Sequence, residues 1–257
     1  MLLRALIATL LLGTFAAADT IRVSAAISLK DALEEVAKAY QAETGEKVTF
    51  NFGSSGQLAA QIASGADVDV FISAAQKQVD DLNKQGLLSG ETRKVIAGNV
   101  LVLIVPADAK DPPSSFEALA GPSVKRVAIG EPKSVPAGQY ATQVLKHFAL
   151  DEKLKDRVVY GTNVRQVLAY VERGEVSAGI VYASDAKESG DKVKVVATAQ
   201  GDWHEPIVYP AVVVKASAKQ EAAKRFIDYL ASEKARAVLT AKGFASARRA
   251  TAPEPRS

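Results

Sequence analysis

The sequence predicts an α/β protein of two lobes joined by two crossing strands, each lobe being a mixed, mostly parallel sheet flanked by helices. Two observations lead to this fold class. Short apolar runs alternate with helical patterns along most of the 257 residues, and such alternation is typical of parallel sheets covered on both faces. Two longer apolar runs, at 101–106 and 209–214, divide the alternation, and we expect them to connect the lobes.

The first lobe is predicted from three successive pairs of strand and helix. The predicted strands are IRVSAA, VTFNFG and DVFISA, and the predicted helices span 29–42, 55–64 and 76–84. In the first helix, Ala32, Leu33 and Val36 share one face, as expected for a helix that covers a sheet.

A second series of elements follows the run at 101–106. It begins with a short helix near Ser115, a strand at Val127 and a helix that starts at Pro136 and ends near Phe148. The later predicted elements are the strand RVVYG, a helix at 164–173, the strands SAGIVYAS, KVKVVATA and YPAVVVK, and helices at 220–231 and 233–242. This order assigns 19–101 and 211–245 to one lobe and 102–210 to the other.

The first 18 residues have the pattern of a secretory signal peptide. Arg4 precedes an apolar core from Ala5 to Leu12, which is too short to span a bilayer, and small residues precede Asp19. The chain contains no cysteine and no later apolar run of membrane-spanning length. We therefore expect a soluble protein that is exported to the periplasm and is not inserted in the membrane.

Net charge gives no indication of a nucleic-acid partner. The last twelve residues, 246–257, are rich in Pro, Ala and Arg, and we expect them to be disordered. Of 32 basic and 29 acidic residues, four basic and one acidic residue lie in the signal peptide and this tail, which leaves 28 of each. A balanced body does not favour binding to nucleic acid or to an anionic membrane.

Four strand-to-helix junctions carry small or hydroxyl-bearing residues. They lie at Ser28, Ser55, Ala137 and Val164, two in each predicted lobe. A helix start offers up to four unpaired N–H groups and a partial charge of about +0.5, so four of them facing a cleft would balance a dianion. Each junction taken alone is also compatible with an ordinary helix cap or glycine-rich turn.

The motifs of common enzyme classes are missing from the sequence. No two glycines are separated by a single residue and no glycine precedes a lysine, so neither the dinucleotide fingerprint nor the P-loop is present. His147 and His204 have no zinc-site spacing. The Ser-x-x-Lys pattern at Ser184 lacks its partner motifs. Asp67 and Asp69 precede a strand, where we expect them to cap or solvate its edge.

A series of characteristic segments follows in order along the chain: AAISLKDAL, NFGSSGQLAAQI, ADVDVFISA, GEPKSVPAGQYA, NVRQVLAYVERGE, GIVYASDA and FIDYLASEKARAVLTAKGF. Together they carry a resemblance, over nearly the whole mature chain, to the periplasmic molybdate-binding proteins of ABC transporters. It implies a periplasmic binding protein fold and oxyanion contacts from the residues that match the family's site, which are Ser28, Ser55, Ala137, Val164 and Tyr182. Two residues depart from the family's pattern: Ile27 replaces a usual alanine, and Gly56 a common third serine.

The resemblance also implies a function and its partners. We expect a monomeric receptor, without cofactor or enzymatic activity, that binds molybdate or tungstate and delivers it to the membrane permease of an ABC transporter. The alternatives are a receptor of the same architecture for sulfate or ferric ion and, more remotely, a secreted serine enzyme. Lys30, Lys133 and Arg165 flank the helix starts, and we expect them to be solvated and to act at most on the association rate.

Overall fold

The computed structural model describes residues 20–247, so the predicted signal peptide at 1–18 and residues 248–257 of the predicted tail lie outside it. The strands are β1 (Ile21–Ala26), β2 (Val48–Gly53), β3 (Val70–Ile72), β4 (Leu88–Gly98), β5 (Leu101–Pro106), β6 (Val127–Gly130), β7 (Val158–Gly161), β8 (Ala178–Tyr182), β9 (Val193–Thr198) and β10 (Val208–Val214). The helices are α1 (Lys30–Thr44), α2 (Ser55–Ala63), α3 (Gln76–Lys84), α4 (Pro136–His147), α5 (Asp151–Leu154), α6 (Val164–Glu172), α7 (Ala183–Ser189), α8 (Gln220–Leu230) and α9 (Glu233–Ala241). Short 3₁₀ helices lie at Ile27–Leu29, Glu117–Ala120 and Gly190–Lys192.

The strands form two five-stranded sheets with the same pattern of strand directions. The order is β2-β1-β3-β10-β4 in the first sheet and β7-β6-β8-β5-β9 in the second. In each sheet the first three strands are parallel, and the fourth is antiparallel to both of its neighbours. Four strands of each sheet therefore share one direction, which confirms the predicted α/β fold with mixed, mostly parallel sheets.

The two apolar runs that were predicted to cross between the lobes each belong to a single sheet. β5 lies in the second sheet and β10 in the first, and β10 is buried along its whole length. A strand that is paired on both edges and covered on both faces needs a continuous apolar run, which explains both sequences. The chain crosses between the sheets beside these runs, at 99–100 and 199–207, where the Asn99 N–H donates to the Ile207 carbonyl (3.2 Å). The lobe boundaries remain a prediction.

β4 is absent from the predicted elements, as are the short helices α5 and α7. Its sequence, LSGETRKVIAG, contains glycine and several charged residues and lacks strict alternation. β4 is an edge strand, and its middle section is half-buried or exposed, so it needs no apolar run. Within residues 20–247, no helix is both long enough and apolar enough to cross a membrane.

The start of α4 is held against the end of β6 by two glycines. A Cβ atom built on Gly138 would lie 2.5 Å from the carbonyl carbon of Gly130 and closer still to its oxygen. A Cβ on Gly130 would in turn lie 3.1 Å from the Gly138 nitrogen. Only glycine allows this approach, which fixes where the first amides of α4 point.

Replacing Gly138 with alanine should destabilise the fold. The new methyl group would meet backbone atoms, which cannot rotate away, so we expect the free energy of unfolding to fall by about 1–3 kcal/mol. Urea denaturation measures this change. The matched control is Gly201→Ala, because a Cβ at Gly201 would meet no atom within 4 Å. Equal effects of the two substitutions would contradict the packing argument.

Candidate functional site

One cavity lies where the carboxyl ends of the strands and the starts of the helices of both sheets meet. All five residues predicted as ligand contacts line it. Its other lining residues are Ala26, Ile27, Gly53, Ser54, Ala74, Val135 and Pro136. The structure thus brings together residues that are far apart in the chain, while their contact with a ligand remains a prediction.

Four helix starts form the cavity wall. Ser55 and Val164 are the first residues of α2 and α6, Ala137 is the second residue of α4, and Ser28 lies in the 3₁₀ turn that leads into α1. The N–H groups of a first helical turn have no carbonyl partner within the helix. Neither α4 nor the 3₁₀ turn before α1 has a side-chain cap. The wall therefore presents backbone donors from both sheets.

The Ser55 hydroxyl is arranged to donate a hydrogen bond. Ser55 is fully buried, and its Oγ accepts a hydrogen bond from the Ala74 N–H at 3.0 Å. A serine hydroxyl has one proton in addition to its acceptor lone pairs. Because the oxygen is already used as an acceptor, its proton is left for a group in the cavity.

Tyr182 brings a hydroxyl group without a partner into the cavity. The side chain is 1% exposed, and its oxygen has no hydrogen-bond partner among the described residues. Burial, with a smaller contribution from Tyr209, raises the pKa of Tyr182 well above its usual value, so the hydroxyl stays protonated. A buried unsatisfied hydroxyl is destabilising by about 1–3 kcal/mol. Its presence at the cavity is what a site that donates to an anion would show.

The helices of the two sheets are in direct contact beside the cavity. The Gly56 N–H in α2 donates to the Ser134 carbonyl, which precedes α4, at 2.9 Å. A Cβ on Gly56 would lie 2.6 Å from the same oxygen. Glycine at position 56, one of the two departures from the family's pattern, therefore permits a close backbone contact that a serine side chain would obstruct.

Arg165 forms ion pairs, and the expectation that it is solvated was wrong. Its side chain is 24% exposed and lies 2.6 Å from Asp31 of α1 and 2.8 Å from the fully buried Asp185 of α7. Arg165 thus links helices that flank different sheets. No local sequence pattern indicates these two contacts, because the three residues meet only after the sheets and their helices are placed together. Lys30 and Lys133 are exposed, as expected.

The other residues considered as sites have packing roles. His147 stacks on Trp203 at a ring-centroid distance of 5.5 Å, and His204 lies beside Tyr140. Asp69 is buried rather than solvated and accepts a hydrogen bond from a serine hydroxyl. Within residues 20–247, no group of three or more His, Cys, Asp or Glu side chains is placed to hold a metal ion.

Asp185 should make the stability of the ligand-free protein depend on pH. Burial raises the pKa of Asp185 from 3.8 to about 6, against the opposing effect of Arg165. A carboxyl group with a raised pKa binds its proton more tightly in the folded state, so its stabilising contribution is lost as the pH rises from about 4 to about 6.

Asp185→Asn cannot titrate, which allows this contribution to be isolated. The quantity to compare is the difference in free energy of unfolding, unsubstituted protein minus variant. We expect this difference to decrease as the pH rises from about 4 to about 6. Urea denaturation at a series of pH values measures the difference. A difference that stays constant or increases with pH would contradict the assignment.

Comparison with known proteins agrees with the fold. Residues 21–245 match the model of the bacterial extracellular solute-binding protein family. The molybdate-binding protein ModA of Haemophilus influenzae is 41% identical over 239 residues, which cover 91% of this chain and 92% of that protein. The structure of the periplasmic molybdate-binding protein of Azotobacter vinelandii superposes with a TM-score of 0.78 at 30% identity, covering 87% of this chain and 98% of that one.

A second solved structure shares the fold alone. The sulfate-binding protein SubI of Mycobacterium tuberculosis has a TM-score of 0.75 at 19% identity, covering 88% of this chain and 86% of that one. The family match spans most of the chain, and the resemblance to periplasmic molybdate-binding proteins is confirmed. The chain belongs to the bacterial extracellular solute-binding protein family.

Proposed function

We propose that the protein is a receptor that binds molybdate, and also tungstate, in the cavity between the two sheets and delivers it to the permease of an ABC transporter for import. The observation that carries this proposal is the convergence of amide and hydroxyl donors from both sheets on one cavity. The 41% identity to a molybdate-binding protein over 239 residues supports molybdate as the ligand.

The charge of the ligand is matched by neutral groups. Four helix starts, each with a partial charge of about +0.5, together balance a dianion. Hydrogen bonds to a charged group contribute about 1.5–3 kcal/mol each, so several of them offset the cost of removing the anion from water. The ion pairs of Arg165 leave this cation engaged with carboxylates instead of the ligand.

The donor character of the site selects a fully ionised anion. Among the described residues that line the cavity, none carries a carboxylate. Molybdate, tungstate and sulfate have no proton to donate near neutral pH, whereas phosphate retains one and would need an acceptor. Sulfate is smaller than molybdate, so we expect it to leave some donors out of reach.

Binding to both sheets at once provides the mechanism of closure. A ligand that contacts helix starts of both sheets binds most tightly when those helix starts face each other across the cavity. Because its affinity for this closed arrangement is higher, the ligand shifts the protein toward it. The paired crossings at Asn99 and Ile207 are the natural hinge. The Gly56–Ser134 and Asp31–Arg165 contacts accompany the closed arrangement.

We also propose the location, the oligomeric state and the absence of catalysis, with the predicted signal peptide and the family resemblance in support. The signal peptide predicted at 1–18 directs the protein to the periplasm, where it acts as a monomer. The receptor carries its ligand without a cofactor and without catalysing a reaction. A ferric receptor is disfavoured because, of the described lining residues, one is a tyrosine and none is a histidine.

A thermal-shift series with molybdate, tungstate, sulfate and phosphate tests the proposed ligand. We expect large and similar increases in Tm with molybdate and tungstate, because ligands that bind only the folded state stabilise it. Sulfate should give a smaller increase and phosphate the smallest. Equal shifts with sulfate and molybdate would contradict the size argument, and a shift with phosphate alone would contradict the donor argument.

Tyr182→Phe tests the role of the unpartnered hydroxyl. We expect the affinity for molybdate to fall about 10- to 100-fold, as loss of one hydrogen bond to a charged group implies. The stability of the ligand-free protein should stay the same or rise, since the variant removes a buried group without a partner. Calorimetric titration and urea denaturation measure the two effects.

The matched control is Tyr160→Phe, because Tyr160 is 51% exposed on the edge strand β7. This variant should bind molybdate like the unsubstituted protein. Unchanged affinity in Tyr182→Phe would remove Tyr182 from the ligand site.

A further inference from the structure

We propose that Asn99 is a positioning residue that fixes the Ser28 hydroxyl as a hydrogen-bond donor toward the bound oxyanion, acting through Tyr209. This inference rests on the proposed function and identifies a residue that controls its specificity. Asn99 does not line the cavity and lies in the first crossing between the sheets.

The orientation of the Asn99 amide is fixed by the backbone. Its Oδ1 accepts a hydrogen bond from the Val100 N–H at 2.9 Å. The opposite end, Nδ2, donates to the Ser184 Oγ at 2.8 Å and to the Tyr209 hydroxyl oxygen at 3.1 Å. An amide nitrogen has two protons and no acceptor, so both of its protons are used in these bonds.

The Tyr209 hydroxyl has two partners among the described residues, Asn99 and the Ser28 Oγ, which is 3.1 Å away. It must accept from Asn99, because that nitrogen can only donate. Tyr209 is fully buried, and burial raises its pKa, so its own proton remains and is directed to the other partner, Ser28. The hydrogen bond between the two hydroxyls therefore runs from Tyr209 to Ser28.

Ser28 is thereby left with a free proton. Its oxygen already accepts from Tyr209, so its O–H is available to the cavity, which Ser28 lines. The Ser55 hydroxyl also has a proton available to the cavity, because its oxygen accepts from the Ala74 N–H. The Tyr182 hydroxyl has one because it has no hydrogen-bond partner among the described residues. All three hydroxyls can then donate to the anion, and at Ser28 and Ser55 a ligand proton would compete with the hydroxyl's own proton for the side of the oxygen that faces the cavity. Asn99, which lies outside the cavity, thus contributes to the rejection of hydrogen phosphate.

Asn99→Asp reverses this polarity at nearly constant size. The introduced carboxylate accepts the Tyr209 proton, so Ser28 donates to Tyr209 and presents a lone pair to the cavity. Hydrogen phosphate can then donate to Ser28, whereas molybdate loses a donor. At mildly alkaline pH both ligands are dianions, so the added negative charge weakens both equally and leaves their affinity ratio unaffected.

Competition calorimetry with molybdate and inorganic phosphate measures that ratio. We expect Asn99→Asp to shift it toward phosphate about 10-fold or more, the effect of one hydrogen bond. In a Tyr209→Phe background the same substitution should have no further effect on the ratio, because no hydroxyl proton remains to be redirected. Ser184→Ala is the control: it removes the other partner of the same amide and should leave the ratio unchanged.

If Asn99→Asp does not fold, Tyr209→Phe alone decides the question. It frees Ser28 to turn and accept a proton, so the ratio should again shift toward phosphate, and an unchanged ratio would overturn the inference. An equal loss of affinity for both anions in Asn99→Asp, or a ratio shift that persists without the Tyr209 hydroxyl, would also overturn it. If one of these results is found and the unsubstituted protein still binds molybdate, only the role of Asn99 is overturned and the proposed function stands. If the unsubstituted protein binds no molybdate, the proposed function and the role of Asn99 both fail.

Discussion

A cavity that holds a dianion with neutral groups depends on the direction in which each hydrogen bond runs. Serine and tyrosine hydroxyls can donate or accept, and only the donating orientation stabilises an anion. In this chain the orientation is set by neighbours: the Ala74 N–H occupies the Ser55 oxygen, and the Asn99 amide, through Tyr209, occupies the Ser28 oxygen. Burial keeps the Tyr182 hydroxyl protonated. In the proposed site, buried groups around the cavity thus orient the donors before a ligand enters.

The fold supplies the other requirement, which is that helix starts from two sheets meet at one point. Both sheets have the same pattern of strand directions, with three parallel strands followed by an antiparallel one. Each parallel strand therefore ends at the same edge as its neighbours, and the helices begin there. Close backbone contacts complete the arrangement: Gly138 lies against Gly130, and Gly56 against Ser134. Larger residues at these positions would move the amides away from the cavity.

Much of this architecture follows from the sequence, because most elements have strong local signals. The strand at Ile21–Ala26 and the helix beginning at Pro136 were predicted from apolar pattern and helix-start chemistry, and the structure contains both. The edge strand β4 escaped prediction because its polar residues face solvent. The Asp31–Arg165 ion pair and the hydrogen bonds of Asn99 to Ser184 and Tyr209 connect residues that are 85 to 134 positions apart, and no local pattern records such contacts. The sequence thus indicates which residues surround the cavity but not what orients them.

The central claim is that neutral amides and hydroxyls, without a cationic side chain, hold the oxyanion. A crystal structure of the molybdate complex tests it most directly, because molybdenum is easily located by its anomalous scattering. The account predicts the metal between the starts of α2, α4 and α6 and the turn before α1, with its oxygens about 2.7–3.1 Å from backbone nitrogens and hydroxyl oxygens. A lysine or arginine nitrogen in direct contact with the anion, or a bound anion outside this cavity, would contradict it.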